Sequence, residues 1–155
     1  MTIEAKPLDL PFGITVCGIH ELDRHCERGF SHVLSILDPE APVPPAFGAY
    51  GEHTRLELRF HDVIEEGYLD EGRETIAPTQ DDVERVLAFG RALARPDGAQ
   101  PDLLVHCHVG ISRSTAALSL IVAQSRPDVA AREVFGELLR IRSKTWPNLR
   151  MIQMG

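Results

Sequence analysis

Cysteine is scarce in this chain of 155 residues: Cys17, Cys26 and Cys107, an odd number at irregular spacing. That excludes a disulfide framework and points to a reducing compartment, so a cytoplasmic location is expected. Positive charge is also short. Sixteen Lys and Arg against 23 Asp and Glu leave a formal charge of −7, and a negative body has no general attraction for nucleic acid or an anionic membrane. Any phosphate must therefore be held by a local site. No apolar run approaches the length of a membrane span, and the Met1–Pro11 stretch lacks the basic and apolar regions of a signal peptide. There is no internal repeat, and the length fits one domain over 1–155.

What is present alternates. Residues 14–19 are a β-branched apolar run, and a short helix over Glu21–Arg28 would be closed by Gly29 in the left-handed conformation. His32–Leu37 reads as a second strand. Asp38–Phe47 holds four prolines and reads as a surface loop. Arg55–Phe60 alternates apolar and charged residues, the period of a strand with one wet side near a sheet edge. A polar stretch over 62–78 precedes a helix that Thr79 and Asp82 cap and that ends before Pro96-Asp97-Gly98. Leu103–Val105 is a compact strand, Arg113–Ser125 a buried helix, and a last helix begins near Pro127 and runs through Ile141. The order predicts an α/β fold with a mainly parallel central sheet of four to five strands, flanked by helices on both faces.

Chemistry concentrates at His106-Cys107-His108-Val109-Gly110-Ile111-Ser112-Arg113-Ser114. A cysteine at a strand end, with a tight loop feeding a helix amino terminus, meets unpaired N–H groups and the positive end of the helix dipole. Such groups bind an anion and favour thiolate over thiol. Gly110 permits the torsions a cradle needs. Arg113 can clasp two oxygens of a phosphoryl group, and Ser114 can donate to the sulfur and ease its departure.

This string resembles the H-C-x5-R-S/T loop of cysteine-based protein phosphatases, and its Gly-Ile-Ser-Arg-Ser ending resembles the dual-specificity branch. The resemblance implies a protein tyrosine phosphatase-like fold and hydrolysis of phosphoproteins, phosphotyrosine and also phosphoserine or phosphothreonine, through a cysteinyl-phosphate intermediate. Cys107 would be the nucleophile, with the amides of His108, Val109, Gly110, Ile111, Ser112 and Arg113 and the Arg113 guanidinium on the phosphate. A general acid is also implied. Asp62 fits, because it follows the Arg55–Phe60 strand and parallel strands put their carboxyl-end loops on one side; Asp70, Asp81, Asp82, Glu65 and Glu66 are its rivals.

His106 is expected to orient the loop through hydrogen bonds and His108 to line the pocket mouth. Asn148 either ties down the loop or serves as a post-helix turn residue. Cys17 and Cys26 read as core, with redox partnership to Cys107 as the alternative. A metal site at His61, His106 and His108 is disfavoured for lack of ligand geometry, so neither metal nor other cofactor is expected. The expected partner is a phosphorylated protein or peptide, with oligomeric state open. The other readings are a phosphatase of a lipid or small-molecule monoester and an idle phosphoprotein-binding module.

Overall fold

The computed structural model describes residues 7–155. Its elements are β1 (Gly13–Gly18), β2 (His32–Leu37), β3 (Thr54–Arg59), the short pair β4 (Leu69–Asp70) and β5 (Arg73–Glu74), α1 (Gln80–Arg91), β6 (Asp102–Cys107), α2 (Arg113–Ser125), α3 (Ala131–Ile141) and α4 (Leu149–Met154). Four strands form one parallel sheet in the order β1-β6-β2-β3. The strand leading to Cys107 is thus central, and β3, with its alternating charges, is at an edge. Because all four run the same way, Gly18, Asp38, Phe60 and Cys107 emerge at one end of the sheet.

Period-two burial divides the sheet. Leu34, Ile36, Leu58, Leu103, Val105 and Cys107 face α1, α2 and α4, while Val16 packs with α2 and α3. On the reverse face Cys17, Val33 and Leu104 pack against Leu22, Phe30, Phe47 and Tyr50. That cover is two 3-10 helices, Ile19–His25 and Pro45–Ala49, rather than α-helices. The helix expected over 21–28 is thus a 3-10 segment that starts and ends earlier, with Leu22 as its one fully buried anchor; its C-cap is Cys26, and Gly29, although at φ 69, lies four residues beyond its end and does not close it. Likewise part of the proline loop coils into 3-10 turns, which prolines at its start permit.

The Thr79 cap is as read: its hydroxyl accepts from the Asp82 amide at 3.2 Å, and the Asp82 carboxylate accepts from the Thr79 amide at 2.9 Å. The last predicted helix starts at Ala131, not near Pro127, because Glu133 caps the Ala130 amide at 3.1 Å while Arg126 pairs with Asp128 in the preceding turn. The additional α4 is capped by Asn148, whose Oδ1 accepts from the Met151 amide at 3.1 Å. Among the described residues no helix is long and apolar enough to cross a membrane.

Candidate active site

Cys107 ends β6 with its side chain almost wholly buried. The Gly110 amide donates to Sγ at 3.3 Å, and the Ser114 hydroxyl lies 3.1 Å from it, placed to accept from the thiol or donate to the thiolate. Two glycines let the loop close this far. Gly110 has φ +77, and a Cβ there would sit 2.6 Å from the Cys17 carbonyl carbon; a Cβ on Gly18 would sit 2.8 Å from the Val109 carbonyl oxygen.

The loop's carbonyls are all held from outside. His108 O accepts from the Ile19 amide at 2.9 Å, Ile111 O from the Trp146 amide at 2.9 Å, and Ser112 O from the Asn148 amide at 3.1 Å. Arg142 supplies the middle two, donating from Nε to Gly110 O at 3.1 Å and from Nη2 to Val109 O at 3.0 Å. In a planar trans peptide the C=O and the following N–H point opposite ways, so five carbonyls fixed outward turn the amides of residues 109–113 inward. Arg142 is itself held by Glu21 at 2.9 and 2.6 Å, and that hydrogen bond pulls the Glu21 carboxyl down to about 2.

Arg113 opens α2 and is 4% exposed. Its Nη1 donates to Asp38 Oδ1 at 2.6 Å and to Phe60 O at 2.8 Å. Its Nε is buried without a partner among the described residues. A buried guanidinium N–H left unpaired is costly, and an anion in the cradle would satisfy it. His106 is buried beneath the loop, its Nε2 2.6 Å from Ser35 Oγ and its Nδ1 3.2 Å from the Cys107 carbonyl. Burial pushes its pKa down to about 4, so it is neutral at neutral pH.

Above the loop lies a hollow of about 310 Å3 walled by Asp62, Cys107, Val109, Ile111, Ser112, Arg113 and Trp146. Asp62 Oδ1 accepts from Ser112 Oγ and from Asn148 Nδ2, each at 2.8 Å. Asn148 thus joins the acid to the start of α4, a helix that the sequence reading did not include, where it is the N-cap and not a post-helix turn residue. The rivals stand elsewhere: Asp82 is spent on the α1 cap, Asp81 lies in the first turn of that helix, and Asp70 is in β4. Glu66 pairs with Arg150 at 2.8 Å, and Glu65 is a wall of a neighbouring hollow and not of this one.

No family model and no curated protein matches the chain in sequence. Solved structures do. Human DUSP28 superposes with a TM-score of 0.65 at 17% identity, covering 91% of this chain and 87% of that one. DUSP15 gives 0.64 at 22% identity over 98% and 83%. PTPMT1 in complex with PI(5)P gives 0.57 at 14% identity over 92% and 86%. The fold is that of the protein tyrosine phosphatases.

Within this phosphatase fold the site holds residues that the sequence did not announce. Asp38 lies in the proline-rich loop, Glu21 in the first expected helix, and Arg142 one residue past the last expected helix. None carries a local motif, since their partners lie 75 and 121 positions away. Trp146, 79% exposed at the mouth of the hollow, carried no signal either. His108 departs from expectation: its side chain packs edge-on to His20 at 5.7 Å and is not a wall of the hollow. Cys17 faces the opposite side of the sheet from Cys107, and burial pushes its thiol up to about 12.

Proposed function

We propose that this chain is a phosphatase that hydrolyses phosphate monoesters through a cysteinyl-phosphate, with phosphotyrosine in a protein or peptide as its preferred substrate. The observation that carries this is the meeting of Cys107, Arg113 and Asp62 on one small hollow. The Cys107 thiolate attacks phosphorus in line with the ester oxygen. The inward amides of 109–113 and the Arg113 guanidinium take up charge on the three equatorial oxygens, a stabilisation that needs no rearrangement at the moment of reaction.

As the P–O bond breaks, Asp62 passes a proton to the departing oxygen. Its Oδ1 already accepts two hydrogen bonds, so Oδ2 is the oxygen that carries the proton. The Asp62 carboxylate then takes a proton from water attacking the phosphocysteine, the P–S bond breaks, and the Ser114 hydroxyl donates to the leaving sulfur. The walls Val109, Ile111 and Trp146 favour an aryl ester over an alkyl one. They also offer no lysine for a polyanionic lipid head group, which sets this hollow against the lipid reading. The cytoplasm, whose reducing conditions keep Cys107 a thiol, is the proposed location.

The test is a matched set of phosphotyrosine, phosphothreonine and phosphoserine peptides, with p-nitrophenyl phosphate and a soluble short-chain phosphoinositide beside them. Turnover of the aryl ester, fastest phosphopeptide hydrolysis on phosphotyrosine, and loss of both in Cys107→Ser are expected. Turnover that survives Cys107→Ser, or turnover of the phosphoinositide alone, would overturn the reading.

A further inference from the structure

A second hollow, of about 350 Å3, adjoins the first, and Asp62 is a wall of both. Its other walls are Val63, Ile64, Glu65 and Tyr68. The segment that carries them is built rather than loose. β4 and β5 close through Glu71 and Gly72, both at positive φ (50 and 76), as a two-residue primed turn requires. The Thr75 amide and hydroxyl both donate to Tyr68 O, at 3.1 and 2.5 Å, and Asn148 Nδ2 donates to Val63 O at 3.2 Å. At the segment's base His61 and Ile76 exchange hydrogen bonds of 2.7 and 2.9 Å.

Two features of this hollow point to a ligand class. Ile64 and Tyr68 stand about half exposed, so apolar surface faces water beside the reacting centre. The surrounding charge is strongly negative: Asp62, Glu65, Glu66, Asp70, Glu71 and Glu74 against Arg73 within the segment. Arg150 neutralises Glu66 from α4, whereas Glu65, on the wall itself, has no ion-pair partner among the described residues. Apolar walls with a free carboxylate suit a side chain with an aliphatic stem and a cationic head. They repel an anionic one.

We infer that this hollow is a specificity subsite for an arginine flanking the phosphorylated residue of a peptide substrate. The inference rests on the phosphatase reading above. The methylene stem lies along Ile64, the guanidinium reaches the Glu65 carboxylate, and the Tyr68 ring offers a face on which a planar cation stacks. Hollows that share a wall side chain are within reach of neighbouring residues of an extended peptide, whose Cα atoms step by about 3.8 Å.

The experiment compares phosphotyrosine peptides that carry Arg, Ala or Glu at each of the two positions on either side, with p-nitrophenyl phosphate as the control that bypasses the subsite. At one flanking position Arg is expected to raise kcat/KM about fivefold over Ala, the worth of a partly exposed ion pair, and Glu to lower it. The change appears in KM and fades with added salt. In Glu65→Lys the order of Arg and Glu reverses, and in Tyr68→Ser the Arg advantage shrinks, while p-nitrophenyl phosphate turnover stays within about twofold. That constancy also shows that the variants fold. The absence of an Arg advantage at every flanking position, or an advantage that persists in Glu65→Lys, overturns the subsite while aryl phosphate turnover stands. No turnover of p-nitrophenyl phosphate by the unaltered chain removes the phosphatase reading, and the subsite with it.

Discussion

The loop over 107–114 and the segment over 61–78 meet at one hollow, yet they are built in opposite ways. In the loop every carbonyl from His108 to Ser112 is tied from outside, Gly110 within it and Gly18 against it are sterically required, and the arginine is buried. The acid-bearing segment is mostly exposed, anchored by Asn148, Arg150 and the His61–Ile76 pair. The charge of a phosphoryl transition state needs donors already in place, because reorienting dipoles during reaction would cost what the site is meant to save. Proton delivery and recognition of what surrounds the phosphate tolerate a more open frame.

This contrast predicts unequal consequences for changes on the two sides. The largest belongs to the loop. Arg113→Lys keeps the charge but loses the planar fork and strands Asp38, and kcat for an aryl phosphate is expected to fall by about 10³ or more. Thermal melts of the same variant separate loss of the site from loss of the fold. Asp62→Asn should lower kcat by on the order of 10² on phosphotyrosine, and less on p-nitrophenyl phosphate, whose leaving group needs little protonation. An equal loss on both esters would mean that Asp62 positions the loop through Ser112 rather than donating a proton.

A smaller effect is expected at Arg142→Met, which frees the Val109 and Gly110 carbonyls without touching substrate. We expect about tenfold in kcat with KM little changed, and a Glu21→Gln, Arg142→Met double variant no worse than the single Arg142 change. If kcat is unmoved, the outward ties are structural ornament and the contrast between the two regions weakens.

The smallest effect concerns stability and pH. The folded His106 pKa, near 4, lies below the ordinary value of 6.5, so the folded state resists a proton that the unfolded chain accepts. Its contribution is whole above about pH 6.5 and is lost progressively as pH falls towards about 4, on the order of 1 to 3 kcal/mol. Urea midpoints measured across that range should show the loss, and His106→Asn should flatten it.

The β6–loop–α2 unit was legible because its logic is contiguous: strand, nine-residue string and apolar helix follow one another, and α2 has the bounds its sequence implies. The position of Asp62 was legible for a related reason, since parallel strands deliver their ends to one side. What escaped depends on distance or on scale. Asp38 and Arg113, or Glu21 and Arg142, are joined only by the fold. The β4–β5 hairpin has strands of two residues, below the window in which alternation shows. The start of α3 was misplaced because a proline suits a turn as well as a first helical position, and the Glu133 cap decided between them.

The claim beneath all of this is that the sulfur of residue 107 forms a bond to phosphorus. Rapid acid quench of the enzyme with saturating p-nitrophenyl phosphate, followed by peptide mass analysis, measures it directly. One phosphoryl group on the peptide containing Cys107, absent in Cys107→Ser and longer-lived in Asp62→Asn, is the predicted result. Steady turnover with no phosphoryl group on that cysteine, or with the group on another residue, would contradict it.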